Sequence, residues 1–281
     1  MHTIGIASVM TSMVAIALMG LTWAPTALAQ TETSSSTLAD AQYLFYSGRY
    51  VEAAALALEM RARDPEDLAA SELRTSALHF QIKRALGDGT DRKKALAACA
   101  ACPALLSEFT SELQLGQRVA RAKLAANPLD DSATFFLGKL DLNYVWLQSG
   151  TLNRKTGWNE YWEARRSLDA MLKRDPTHVR AQVARAWIDY IVDTKMPFGT
   201  AWMLGGGNKK RGLRVGREAA SATSDRFIAA EAGFALWDML VRERDFGEAV
   251  LVARRLARDF PENQDLVRFL DTHTSKVAPP R

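Results

Sequence analysis

The stretch Ser47–Pro65, "SGRYVEAAALALEMRARDP", decides how this chain is read. Tyr50 is followed one helical turn later by Ala53, and Pro65 stands twelve residues beyond that. The same spacing recurs at Tyr161, Ala164 and Pro176, and again at Phe246, Ala249 and Pro261. An aromatic residue with a small one a turn later suits a helix that a second helix crosses closely, because the two side chains share a face and Ala lets the backbones approach. Proline lacks the N–H and disfavours a helical conformation in the residue before it, so it closes the helix. The flanks agree: "EMRARDP", "MLKRDP" and "RRLARDFP" place cations in the last turn, where the helix dipole favours them. Each copy reads as the end of an amphipathic helix, and three copies make an internal repeat.

These residues resemble the tetratricopeptide repeat (TPR) family, whose repeat sets Gly, Tyr, Ala and Pro at such intervals. A weaker copy ends at Pro128, with Leu113 and Gly116 in the aromatic and Ala places, and Gly138 in "FFLGK" stands where the next repeat's Gly belongs. The prolines lie 63, 48 and 85 residues apart, against a regular period of about 34, so units have diverged or are separated by insertions. The resemblance implies an all-α fold, an irregular TPR-like superhelix of helical hairpins over residues 36–271, with a partner held in a concave groove. The stretch from "NYVWLQSG" onward is similar to uncharacterised exported repeat proteins of bacteria. The apolar pattern predicts helices near 36–47, 50–63, 66–86, 91–101, 111–126, 130–148, 158–174, 177–194, 208–221, 224–243, 246–259 and 262–271. Ala, Leu, Arg and Glu dominate, and alternating strand patterns are absent.

The first 29 residues contain no Lys, Arg, Asp or Glu and end in Ala27-Leu28-Ala29, the pattern of a secretory signal peptide over 1–29. The alternative is anchoring by an uncleaved N-terminal helix, since Ile4 to Ala24 is apolar enough to span a bilayer. A periplasmic or secreted location is expected, without a lipid anchor, because no cysteine lies near the cleavage site. Residues 30–35 read as a flexible N-terminal segment and 272–281 as a disordered tail. A net charge of +4 is mild for 281 residues, and nucleic acid binding needs basic side chains gathered on one face, so nucleic acid is not expected. Once the signal is removed no stable membrane span is expected, and oligomeric state is open.

Met196–Gly212, "MPFGTAWMLGGGNKKRG", is the one phosphate-like stretch. A Walker loop needs GxxxxGK followed by Ser or Thr and preceded by a strand. Here Arg211 follows Lys210 and a helical pattern, "WIDYIVD", comes before. The stretch reads as the turn of a helix pair. Pro197 and Gly199 end the first helix, Phe198, Trp202, Met203 and Leu204 pack under the turn, Gly205 to Gly207 take positive φ, and Asn208 caps the second helix. Lys209, Lys210 and Arg211 read as solvated surface, with a possible anion site at that helix N-terminus as the alternative.

Cys99 and Cys102 in "AACAACP" are the only cysteines and are expected to form a disulfide, on one face of a helix that Pro103 ends. His79, His178 and His273 show no metal-ligand spacing, and no GxSxG or SxxK occurs, so neither cofactor nor catalysis is expected. Asp189 and Asp193, with Arg185 nearby, read as a salt-bridged stripe. The function expected is a non-catalytic scaffold or adaptor that binds a protein or peptide partner in the cell envelope. Carried over by offset from each proline, the family's groove positions are Ser132, Phe135, Lys139 and Asn143, then Arg180, Trp187 and Tyr190, then Glu231, Asp238 and Arg242. Lys139 and Arg180 would anchor a carboxylate, and Trp187 with Tyr190 would supply apolar contacts. Two alternatives remain: a small-ligand or transport-accessory protein with a Trp-rich pocket between Trp146 and Trp202, and a thiol-disulfide enzyme at Cys99 and Cys102.

Overall fold

The computed structural model describes residues 37–274 apart from 88 and 197–200. The expected signal peptide, the segment 30–35, residues 275–281 of the tail, and Pro197, Phe198 and Gly199 lie outside the described residues. Among the described residues there are twelve α-helices and no strand. They are α1 (Leu38–Tyr46), α2 (Tyr50–Arg63), α3 (Leu68–Leu86), α4 (Arg92–Ala98), α5 (Cys102–Ala126) and α6 (Asp131–Val145). After them come α7 (Trp158–Arg174), α8 (Val179–Lys195), α9 (Lys209–Ser221), α10 (Arg226–Arg242), α11 (Phe246–Asp259) and α12 (Gln264–His273). A π-helical turn, Trp146–Thr151, prolongs α6, and a 3-10 turn, Ala201–Leu204, precedes α9. No described helix is long and apolar enough to cross a membrane.

One turn design links the units. The residue before each repeat proline is extended: Asp64 at φ −130°, Asn127 at −140°, Asp175 at −128° and Phe260 at −132°. Proline imposes this on its predecessor, which stops α2, α5, α7 and α11. The N–H three residues on, from Asp67, Asp130, His178 and Asn263, returns to that residue's carbonyl at 3.1, 3.0, 3.3 and 3.1 Å. The side chains of the same four residues then accept from the first turn of α3, α6, α8 and α12, so each turn is also an N-cap. Between α9 and α10 the proline is missing. Asp225 still caps α10, its own N–H donating to Thr223 Oγ1. That missing proline explains the 85-residue gap, which holds two helix pairs, while the inserted α4 and the long α5 lengthen the 63-residue one.

The pairs are α1–α2, α3–α5, α6–α7, α8–α9 and α10–α11, with α12 last. Ala53, Ala164 and Ala249 are all fully buried, as the repeat requires. Eight residues after the N-caps of α6, α8 and α10 stand Gly138, Ala186 and Gly233, small residues where the paired helix crosses, against Ser167, Gly212 and Leu256. A Cβ on Gly138 would sit 3.2 Å from Ser167 Cβ, and one on Gly116 2.9 Å from Leu140 Cδ1. The first and last pairs also touch. Tyr46 packs its ring on Phe234 and Phe260 at 5.5 and 5.4 Å, Asn263 Nδ2 donates to the Tyr46 carbonyl at 2.7 Å, and Arg84 pairs with Asp265 at 3.2 Å.

Three expectations need correction. Pro103 opens a helix: it lies in the first turn of α5, where the missing N–H has no intrahelical partner to lose. The cysteines therefore straddle the α4–α5 junction, and they are bonded, with Cα atoms 5.4 Å apart. Of the three glycines in this turn, Gly205 (76°) and Gly206 (80°) have positive φ and Gly207 does not. Gly207 is needed for proximity, since a Cβ there would lie 2.5 Å from the Asp193 nitrogen, and one on Gly212 2.7 Å from the Ala186 carbonyl oxygen. Trp202 and Met203 do not pack under the turn; they are 74% and 58% exposed.

Gly212→Ala should therefore cost about 1–3 kcal/mol by pushing α9 off α8, read as a lower urea midpoint. Gly89→Ala, with nothing within 4 Å of the added methyl, should leave the midpoint unchanged. Equal midpoints for both variants would contradict the close crossing.

Candidate functional site

The predicted groove positions come from the inward faces of α6, α8 and α10, and the structure brings four charges together there. Lys139 Nζ lies 2.6 Å from Glu231 Oε1 and 3.6 Å from Glu72 Oε1. Arg180 Nε lies 2.6 Å from Glu231 Oε2, and its Nη2 3.4 Å from Glu72 Oε2. Two cations thus meet two carboxylates, all with side chains less than a fifth exposed. The Arg180 guanidinium also covers the rings of Phe135 and Phe136 at 4.9 and 5.7 Å. Asn143 Nδ2 donates to Thr75 Oγ1 and Ser76 Oγ of α3 at 2.9 and 3.0 Å. Burial alone would raise the Glu231 pKa, but the Arg180 and Lys139 charges overcome it and hold Glu231 at about 2. Burial, with Glu231 adding to it, pushes the neighbouring Tyr46 hydroxyl well up, so that phenol stays neutral.

Lys139 and Arg180 are therefore satisfied by the chain's own carboxylates. Glu72 is the partner that sequence reasoning missed. The signal was present: Glu72 lies seven residues after Pro65, as Phe135 does after Pro128.

The remaining groove candidates divide. Trp187 stacks on Trp146 at 5.4 Å and on Tyr190 at 5.6 Å, with Arg242 over its ring at 5.5 Å. Arg242 is held by Asp238 at 2.7 Å. Tyr190 is buried, and its hydroxyl donates to Glu243 at 2.9 Å. Ser132 is exposed at the start of α6, apart from this layer.

At the α9 N-terminus five of the amides a phosphate could use are already engaged. Gly205 and Gly206 N–H donate to the Trp202 and Ala201 carbonyls, Asn208 N–H to the Asp189 carbonyl, Lys209 N–H to Asp193 Oδ2 and Arg211 N–H to Asn208 Oδ1. Lys209 Nζ pairs with Glu243 at 2.7 Å and Arg211 with Asp189 at 3.9 Å, while Lys210 is exposed. From below, Arg165 grips the turn. Its Nη1 donates to the Leu204 and Gly206 carbonyls at 2.9 and 3.2 Å, its Nη2 donates to Gly205 at 2.5 Å, and Tyr161 Oη donates to Leu204 at 2.7 Å. Arg165 and Tyr161 thus tie three carbonyls of the glycine turn to α7.

Two buried ionisable groups lie elsewhere. Burial drives His79 down to about 3, so the imidazole is neutral and shares a 2.7 Å hydrogen bond with Thr151 Oγ1 of the π-helical turn. Asp141, fully buried on α6, accepts from Gln117 Nε2 at 2.6 Å, and burial reinforced by the nearby Glu163 charge pushes it up to about 8. Among the described residues no group of three or more His, Cys, Asp or Glu could hold a metal ion.

The two carboxyl groups act oppositely on stability. Glu231 contributes stability above its ordinary 4.5, and that contribution is lost as pH falls towards about 2. Asp141 keeps its proton in the folded chain up to about 8 but releases it near 3.8 when unfolded, so stability declines as pH rises between those values. Asp141→Asn should flatten that decline and raise the melting temperature at pH 7; an unchanged or steeper pH profile would contradict it. Glu231→Ala should cost about 3–5 kcal/mol, because it leaves buried cations unmatched. Lys139→Met combined with Glu231→Leu preserves the Arg180–Glu72 pair and should cost much less by the same denaturant titration.

Comparison with known protein families, curated proteins and solved structures finds no match to this chain.

Proposed function

We propose that the chain is a non-catalytic, TPR-like helical-repeat adaptor of the cell envelope that binds a protein partner through the corner carrying Trp202 and Met203. The observation that carries this reading is the way the corner is built. An arginine from α7 and a tyrosine one turn before it are committed to three backbone carbonyls, and the turn they fix displays two large apolar side chains to water. Burying an exposed Trp at an interface is a favourable anchor, and a preorganised one loses little freedom on docking. Trp158, 53% exposed, begins the same turn of α7 that supplies Tyr161 and adds a further apolar surface at that end.

The inner face supports a partner less well than the spacing suggests. Its charges neutralise one another, and its aromatic rings are stacked on one another, so a carboxylate or a small ligand would have to displace contacts already made. The disulfide favours an oxidising compartment, in keeping with the exported location expected from the first 29 residues.

A photo-crosslinking amino acid placed at position 203 in the producing cell should give one discrete adduct. One at Leu129, 70% exposed at the opposite ends of the helices, should give none. Trp202→Ala should reduce the adduct at least about tenfold, the loss expected for an interface anchor worth more than 1 kcal/mol. Equal adducts from 203 and 129, or capture indifferent to Trp202→Ala, would refute this docking site.

A further inference from the structure

A cleft of about 320 Å³ lies between α2 and α5, floored by α3 and remote in sequence from the Trp202 corner. Arg61 of α2, Arg74 of α3 and Arg118 of α5 line it, with the Ser107 and Ser111 hydroxyls on the α5 wall. Two carboxylates, Glu108 and Glu112, oppose the three cations. The balance is one positive charge in excess.

The two acids are not equivalent. Glu112 is structural: its side chain is 3% exposed, it accepts from Ser71 Oγ at 2.9 Å, and it pairs with Arg61 at 2.9 Å and with Arg74 Nε at 3.5 Å. Glu108 is 51% exposed on its side chain and touches only Arg74 Nη2, at 2.8 Å. Arg74 is 7% exposed; its Nη1 is buried without a hydrogen-bond partner, and its Nε, which also makes no hydrogen bond, has only the 3.5 Å ion pair with Glu112. A buried guanidinium with unmet donors is costly, and native structures seldom leave one without a ligand, ion or water to meet it. Arg118, exposed on the rim, has no carboxylate partner among the described residues.

We infer that this cleft is a binding site for a small oxyanion carrying about one negative charge, a carboxylate or phosphate group, with Glu108 occupying the place of the ligand's carboxylate when the site is empty. The incoming anion displaces the half-exposed Glu108 from Arg74, takes up the unpartnered Nη1 and the released Nη2, and is closed over by Arg118. Planar, forked guanidinium groups suit both oxyanions, which they meet with paired N–H bonds. The site is independent of the partner-docking corner and stands or falls without it.

The test is titration of the chain with sodium acetate and, separately, with sodium phosphate at constant ionic strength set by sodium chloride. It is followed through the arginine Nε–H signals in nitrogen–proton correlation spectra. One arm binding in preference to the other identifies the source of the oxyanion. A saturable shift of the Arg74 signal is expected. Arg118→Ala, at an exposed position, should weaken binding about fivefold or more, the loss of one charge-assisted hydrogen bond. Glu108→Gln should tighten binding, because the internal competitor is neutralised. Arg74→Gln should abolish binding, with the circular dichroism spectrum checking that the fold survives. The inference is overturned if neither anion shifts the signal beyond chloride, if Arg118→Ala binds as the parent does, or if Glu108→Gln weakens the anion.

Discussion

Helices here cross with so little room that most crossings need a residue with almost no side chain. Ala53, Ala164 and Ala249 on the second helices, and Gly138, Ala186 and Gly233 on the first, set that distance. The closest approach is α9 on α8, where Gly207 and Gly212 face backbone atoms directly. Backbones this near bury much surface with short side chains, which is why a chain rich in Ala still forms a packed interior. Aromatic residues fill the remaining gaps, as where the nearly parallel Trp187 and Tyr190 rings stack.

Electrostatics inside follows from this packing. Four first helices point charged side chains at one another, and the charges survive burial because they are matched two against two. The strongly lowered Glu231 pKa reports how firmly the cations hold it. Where matching fails, at Asp141 beside Glu163, the carboxyl keeps its proton instead. A buried acid can be held as an ion by cations or kept neutral by burial with an anion nearby, and this fold contains both outcomes.

Most of the fold was legible because its determinants are local. Proline fixes the residue before it, the N-cap follows three residues after, and eleven of the twelve helices fall within a few residues of where periodicity puts them. The exception, α5, begins nine residues early because Pro103 in isolation looks like a stop, and only the chain's path tells a first turn from a last one. The candidate site was harder. Offsets from proline placed Lys139, Arg180 and Glu231 on inward faces, which is where they are. Whether an inward charge is free or paired depends on a residue more than fifty positions away, and no local pattern encodes that distance. Trp202 shows the converse: an apolar side chain in a turn is expected inside, and only the grip of Arg165 on the backbone accounts for its standing outside.

Stacked repeats ordinarily leave an apolar face open at each end and need polar capping units to cover it. In this chain the first and last pairs supply that cover for each other, through Tyr46 between Phe234 and Phe260 and through Asn263 on the Tyr46 carbonyl. These contacts join residues 188, 214 and 217 positions apart, whereas in an open array only neighbouring units interact. The inner charges and rings are engaged with one another, and both proposed contacts with other molecules, the Trp202 corner and the cleft at Arg74, lie apart from them.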